Sequence, residues 1–221
     1  GGGDGGVLSE VVKHKSVKEI HMAELDEGVI DFSRKYLGAI HGTSFDDPRL
    51  QMHVVDGREF ISKQKQRYDV IIMDMTDPFG PSRYLYTREF FRRIKNALKS
   101  DYGIFVMHSE SPVSRPKAFS SIRKTLGTSF SNVRSMYLYI QMYAVLWSIT
   151  ICSNKTDIAK VSPAKINRVL SGANIDKLKV YNGETHVSMQ VEFPYISQIL
   201  QKPARIITDA KPDFPDDFIT I

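Results

Sequence analysis

The run Tyr68-Asp69-Val70-Ile71-Ile72-Met73-Asp74 is a short, continuous apolar segment that ends on a carboxylate and is followed by Met75-Thr76-Asp77-Pro78-Phe79-Gly80-Pro81. Such a run reads as a buried strand of a parallel sheet, closed by a loop that two prolines and a glycine stiffen. The neighbouring segments repeat the theme. Val17–Glu24, Leu50–Val55 and Tyr102–His108 read as further strands. Helical spacing places helices after Asp26, over Arg58–Gln66, Thr87–Leu98 and Pro116–Leu126, with Asp26 as an N-cap. Val133–Ile140 and Ala144–Cys152 are rich in aromatic and β-branched residues and are expected to pair as an antiparallel edge. Strands alternating with helices imply an α/β fold, a doubly wound and mostly parallel sheet.

The chain opens directly on Gly1-Gly2-Gly3-Asp4-Gly5-Gly6, ahead of a helix-like run from Val7 to His14. A glycine loop of this kind joins a strand to a helix, so a first strand, and an N-terminal part with it, is expected to be missing. From about Thr156 the pattern changes. Pro163 starts a helix, Tyr181-Asn182-Gly183-Glu184 reads as a turn, Pro194–Gln201 as a short helix, and the tail from Lys211 to Phe218 is broken by prolines. The expected division is a core over 1–155 and a C-terminal extension over 156–221.

Composition bounds the function classes. The 221 residues hold 42% hydrophobic and 25% charged residues, ordinary values for a globular domain. The single cysteine, Cys152, has no disulfide partner, which favours a reducing, cytoplasmic setting. No segment is long and apolar enough to span a bilayer, and the scattered histidines predict no metal site. A net charge of +5 invites a nucleic-acid partner. However, Arg88, Arg92, Lys95 and Lys99 recur at helical spacing, the pattern of a solvated face, so no specific nucleic acid is expected.

Ligands of parallel sheets lie beyond the carboxyl ends of the strands. The residues there are Asp4, Glu24, Asp56, Asp74, Asp77 and Glu110, so a basic chain gathers acids in its predicted cleft. That points to a cation rather than a phosphate. Asp4 would repel a phosphate and suits an amino group or sulfonium. Glu24, twenty positions further on, stands where a carboxylate accepts from ribose hydroxyls. Asp56-Gly57 is either an acceptor for an adenine amine or a simple turn.

The ordered set Gly1–Gly6, Ala23-Glu24-Leu25-Asp26, Asp56-Gly57, Asp74-Met75-Thr76-Asp77-Pro78-Phe79-Gly80-Pro81 and His108-Ser109-Glu110-Ser111-Pro112 resembles the motifs of the polyamine aminopropyltransferases, the spermidine and spermine synthases. The resemblance covers Gly1 to about Lys155. It implies a Rossmann-like, methyltransferase-type fold and transfer of the aminopropyl group of decarboxylated S-adenosylmethionine to a polyamine, with 5′-methylthioadenosine released. No tightly bound cofactor is implied; the adenosyl sulfonium is a co-substrate. Putrescine is the first expected acceptor; a spermine or thermospermine synthase, or a methyltransferase using S-adenosylmethionine itself, are the alternatives.

By this resemblance Asp74 is the general base and Asp77 holds the acceptor's cationic nitrogens. Asp4 binds the aminopropyl amine, Glu24 the ribose, Asp56 and the Gly57 backbone the adenine, and Pro81 packs near the nucleoside. Glu110 is open between an acceptor ligand and a surface carboxylate. Tyr143 and Trp147 are open between acceptor-pocket walls and core aromatics. They lie in Ile140-Gln141-Met142-Tyr143-Ala144-Val145-Leu146-Trp147, which lacks the Thr-Tyr-Pro-Ser-Gly pattern of spermidine synthases and is similar to the spermine and thermospermine branch. Tyr181-Asn182-Gly183-Glu184 and Arg205-Ile206-Ile207-Thr208-Asp209 resemble that branch too. A homodimer or homotetramer is implied.

Overall fold

The computed structural model describes residues 1–175 and 178–215. In chain order the elements are α1 (Gly6–Val11), β1 (Ile20–Glu24), α2 (Glu27–Tyr36), α3 (Gly38–His41), β2 (Leu50–Val54), α4 (Gly57–Ser62), β3 (Val70–Met73), α5 (Arg88–Ala97), β4 (Ile104–His108), α6 (Pro116–Leu126), β5 (Asn132–Ile140), β6 (Val145–Ser153), α7 (Pro163–Gly172), α8 (Gly183–Ser188) and α9 (Pro194–Gln201). The fold is α/β, with strands and helices alternating up to β4.

The strands form two sheets. β1 pairs in parallel with β2, and a second sheet runs in the order β3-β4-β6-β5. There β3 and β4 are parallel, while β6 is antiparallel to both β4 and β5. The two sheets meet at Gly1. Its backbone nitrogen lies 2.6 Å from the Ala23 carbonyl oxygen, and a Cβ on it would run into the Asp74 carbonyl. The carboxyl ends of β1 and β3 therefore lie side by side.

Local chemistry explains the helix starts. Asp26 caps α2 by accepting from Gly28 N–H at 2.8 Å. Asp56 caps α4 by accepting from Arg58 N–H at 2.7 Å and Glu59 N–H at 3.1 Å. Thr87 caps α5, and Pro116, Pro163 and Pro194 stand in the first turns of α6, α7 and α9, where a missing N–H costs nothing.

The main core lies between the larger sheet and α5 and α6. Phe90, Phe91, Ile94 and Ala97 present one face of α5 to Phe105 and Met107 of β4, with Ile122, Leu126 and Phe130 closing the other side. A smaller core of Leu8, Met22, Ile30 and Phe45 seats α1 and α2 on the β1–β2 pair. A third, of Phe119, Tyr137 and Ile196, docks α9. Ile196 of α9 is fully buried there against Phe119 and Tyr137. The opposite face of α5 exposes Arg92 and Lys95, as expected for a solvated basic stripe.

Among the described residues β3 pairs with β4 and turns Ile71 and Met73 to the core, while Val70 is 51% and Ile72 43% exposed. Two expectations change. The Tyr181–Glu184 turn is a helix start. Asn182 and Thr185 form a reciprocal capping box for α8, and Gly183, at its first position, packs on Pro163 where a Cβ would clash with backbone. The first strand begins at Ile20 rather than Val17, since Val17 N–H is taken by a turn to the His14 carbonyl. In the tail, the stretch from Asp216 onward lies outside the described residues.

Candidate functional site

The carboxyl ends of β1 and β3 bring together residues far apart in sequence. Gly5 has φ 76°, in the left-handed region, and a Cβ there would lie 2.6 Å from His41 Cβ and 2.8 Å from Phe45. Only glycine lets the loop turn this tightly against α3. The loop holds Asp4 exposed at its crest, with Oδ1 accepting from Gly6 N–H at 2.9 Å. Gly3 N–H donates to Glu24 Oε2 at 3.1 Å, and Glu24 Oε1 accepts from Leu25 N–H at 2.8 Å and Asp26 N–H at 3.2 Å. These bonds fix the carboxylate in one orientation. A carboxylate offers about four lone-pair sites, so Glu24 keeps room for an outside donor.

Val55 N–H donates to the Glu24 carbonyl at 2.8 Å, which sets the Asp56-Gly57 turn beside Glu24. The Asp56 carboxylate serves as the cap of α4 through Oδ1, so the turn reading holds for that oxygen.

Asp74 follows the last residue of β3 and lies close enough to Asp4 for the two charges to repel. The Asp74 side chain is exposed at the surface, yet the protein packed around it removes part of its hydration and raises its pKa from the ordinary carboxylate value; the Asp4 charge raises it further, and His108 opposes both. The loop beyond is held by its own bonds. Ser82 Oγ donates to the Asp77 carbonyl at 2.6 Å and to the Phe79 carbonyl at 2.7 Å, leaving Asp77 and Pro81 exposed at the mouth.

Behind this loop stands an aromatic wall. His108 Nε2 lies 2.7 Å from the Met75 carbonyl, which can only accept, so Nε2 carries a proton. Tyr86 is fully buried; its hydroxyl donates to the Thr76 carbonyl at 3.0 Å and stands 3.1 Å from His108 Nε2. Burial pushes the Tyr86 hydroxyl well above its usual pKa, and Glu110 and Asp77 push it the same way, so it remains a donor. Trp147 stacks on His108 with centroids 5.9 Å apart, and Tyr143 leans on Trp147 at 5.1 Å. Tyr143 is 55% exposed and is no core residue. The wall is therefore continuous from the Asp74 loop to the turn between β5 and β6.

Glu110 is not a surface carboxylate. It is 1% exposed, and its Oε1 accepts from Arg115 Nη1 at 2.8 Å. The Arg115 guanidinium in turn lies 5.0 Å from the centre of the Phe79 ring. Glu110 thus reaches the Asp77 loop through Arg115 and Phe79.

The structure therefore brings Asp4 and Glu24 together through the glycine loop and sets Asp74 against Asp4 and His108; Asp56-Gly57 follows beside Glu24, Asp77 acts on the buried Tyr86, Pro81 is exposed in the same loop, and Trp147 and Tyr143 stack outward from His108. Tyr86, Arg58 and Arg115 were not legible as site neighbours, because nothing in their local sequence separates them from ordinary surface or core residues. His108 had a signal, its place at a strand end. A separate hollow lined by His14, Lys15, Val169 and Asn174 involves none of these residues. Among the described residues no group of three or more His, Cys, Asp or Glu is set to hold a metal ion, and no helix is long and apolar enough to cross a membrane.

Residues 1–162 match the family model of the spermine/spermidine synthase domain. The polyamine aminopropyltransferase of Nitrosomonas europaea is 36% identical over 209 residues, which cover 95% of this chain and 64% of that protein. The polyamine aminopropyltransferase of Sulfurisphaera tokodaii is 35% identical, with 96% of this chain and 70% of the relative covered. Among solved structures, spermidine synthase from Thermotoga maritima superposes with a TM-score of 0.80 at 35% identity, covering 90% of this chain and 66% of that one. A spermidine synthase in complex with the transition state analogue AdoDATO gives 0.79 at 33% identity, over 90% of this chain and 65% of that one. Sequence motifs, fold and carboxylate mouth agree with these matches, and the chain belongs to the spermine/spermidine synthase family.

Proposed function

We propose that the protein of which this chain is part transfers the aminopropyl group of decarboxylated S-adenosylmethionine to putrescine, forming spermidine and 5′-methylthioadenosine. The observation that carries this reading is the Asp74 carboxylate at the end of β3, facing Asp4 and His108 beside the Glu24 strand end, with its pKa raised by partial desolvation and by Asp4. The names of the relatives and the AdoDATO complex of the structural neighbour support the donor and the transferred group.

The chemistry follows from the charges. The donor's sulfonium already makes its adjacent carbon electrophilic. A neutral acceptor amine attacks that carbon, the new C–N bond forms as the C–S bond breaks, and the electron pair leaves on sulfur as a neutral thioether. The nitrogen then carries a proton to be removed. Amines of this kind have pKa values of about 10.4, so most acceptor arrives protonated and a base is needed. Asp74 takes that proton. A raised pKa brings the carboxylate nearer the operating pH and makes it a stronger base than an open aspartate.

Positioning supplies the rest of the rate. Asp4 faces the donor's amino group, Glu24 the ribose hydroxyls, and the Asp56-Gly57 turn with Pro81 the adenine. Asp77 takes an acceptor ammonium, and the Trp147 and Tyr143 faces add cation–π attraction worth about 0.5 to 2 kcal/mol each.

The test is product analysis of the natural full-length protein given decarboxylated S-adenosylmethionine with putrescine, agmatine, spermidine or norspermidine. Spermidine from putrescine is expected. Asp74→Asn is expected to slow transfer by about 10²- to 10⁴-fold while 5′-methylthioadenosine still binds in calorimetry. Undiminished turnover in that variant, or methyl transfer from S-adenosylmethionine itself, would overturn the reading.

A further inference from the structure

The sequence Arg205-Ile206-Ile207-Thr208-Asp209 has no part in the mouth described above, yet the structure straps it across the start of α5. Ile207 is fully buried; its N–H donates to Thr125 Oγ1 at 3.0 Å, and its carbonyl accepts from Arg88 N–H at 2.9 Å. This anchors the next residues. Asp209 Oδ1 accepts from Thr87 Oγ1 at 2.6 Å, Oδ2 accepts from Arg58 Nη2 at 2.5 Å, and Asp209 N–H donates to Glu89 Oε2 at 2.9 Å.

Arg58 faces two ways. Its Nη1 donates to the Tyr84 carbonyl at 2.5 Å, and its guanidinium lies 5.8 Å from the Tyr84 ring centre. Its own backbone N–H is bound by Asp56 Oδ1 at 2.7 Å. Further along the strap, Asp213 accepts from Arg83 at 2.5 Å, and Phe214 meets Tyr86 edge-on at 5.6 Å. The strap therefore touches Arg83, Tyr86 and Thr87 directly and Tyr84 through Arg58. These residues end the segment that starts at Asp74 and carries Asp77 and Pro81.

We propose that Asp209 is a positioning residue for the aminopropyl transfer, acting through Arg58 and Thr87 to tie the far end of the Asp77–Pro81 loop to the turn that carries Asp56. The inference rests on the function proposed above and deepens it. The inner end of the loop is fixed by β3 and its middle by Ser82, whereas its outer end is joined to the Asp56 turn by the Arg58 side chain. Arg58 needs Asp209 to hold its fork. The guanidinium makes one bond to the loop and one to the carboxylate, and its planar geometry makes the two bonds mutually orienting. Loss of either partner removes the tie between the loop's outer end and the Asp56 turn, while Arg83–Asp213 and the buried Tyr86 keep that end on the core; a shift of binding groups by about 1 Å can cost as much as 10²-fold.

The experiment compares full-length wild type with Asp209→Ala, Arg58→Ala and the double variant, with steady-state rates measured against putrescine at saturating donor and against donor at saturating putrescine. Rates are normalised to folded protein by circular dichroism. A rise of about 10- to 100-fold in the putrescine KM is expected, with kcat changed far less and the double variant no worse than the poorer single one. Asp209→Asn, which keeps the Thr87 bond and loses the charge facing Arg58, is expected to fall between wild type and Asp209→Ala. If Asp209→Ala does not fold, Asp209→Asn and Arg58→Lys carry the same comparison. Folded variants with lower melting temperatures and unchanged KM values, or losses that add in the double variant, would overturn the proposal. Wild type without aminopropyl transfer would sink the underlying function and the clamp with it, whereas an active wild type with unmoved variants sinks the clamp alone.

Discussion

Replacing Glu110 with glutamine separates the two roles open to this residue. The side chain is 1% exposed and paired with an Arg115 side chain that is 6% exposed, so the pair is desolvated on both sides. Glutamine keeps the shape and removes the charge. Arg115 then loses the carboxylate charge that faces its Nη1, and a guanidinium cannot relieve the cost by losing its proton. Breaking a buried pair from one side costs about 3 to 5 kcal/mol. The Phe79 ring, 5.0 Å from the guanidinium, still stabilises the cation, so the lower part of that range, about 3 to 4 kcal/mol, is expected. For a domain of 150–250 residues, each kcal/mol shifts the melting temperature by about 2 to 4 °C, giving a fall of roughly 6 to 16 °C. Circular dichroism melts, with urea titration as a check on the free energy, measure this. The double variant Glu110→Gln with Arg115→Met removes both charges and is expected to recover most of the loss. A melting temperature within 2 °C of wild type in Glu110→Gln, accompanied by a raised acceptor KM, would refute the reasoning. The carboxylate would then act on the substrate rather than on Arg115.

Three further variants probe the glycine loop and the end of β3. Because Asp74 is raised by partial desolvation and by Asp4, its proton is held more tightly folded than unfolded, so the residue favours the fold in acid and costs stability as pH rises through the unfolded and then the folded pKa. Asp74→Asn is expected to be more stable than wild type at neutral pH, with the difference vanishing in strong acid, and Asp4→Asn is expected to move the acid limb of the kcat/KM profile to lower pH; an unmoved limb counts against the Asp4–Asp74 coupling. Gly5→Ala forces a Cβ into His41 and Phe45 at a φ of 76° and is expected to lower stability by about 1 to 3 kcal/mol, measured by urea denaturation; a loss under 0.5 kcal/mol contradicts the packing.

The expectations that held share one property: their signal is local. Asp26 caps its helix because a short acceptor precedes an amphipathic run, and Pro116–Leu126 and Pro194–Gln201 match their helices because proline marks the first turn. The Asp74 loop was legible because an apolar run ends on a carboxylate just before a Pro and Gly stop. Expectations that changed depended on partners. Tyr181-Asn182-Gly183-Glu184 has the composition of a turn, and it becomes a helix start because Gly183 packs on Pro163 from a distant element. For Glu110 the sequence leaves an acceptor ligand and a surface carboxylate equally open, and only the approach of Arg115, five residues on and turned back against it, shows a buried ion pair.

Sequence alone thus determined the alternating α/β architecture, the family and the carboxylates at the strand ends, because hydrophobic period, capping and loop chemistry are written in neighbouring residues. Tertiary structure decided which of those carboxylates face one another and what stands behind them. The Asp4–Asp74 repulsion, the Tyr86–His108–Trp147 wall and the Asp209–Arg58 clamp join residues separated by tens to more than a hundred positions. Coulomb forces and hydrogen bonds fall off with distance in space rather than along the chain, so no local pattern announces them.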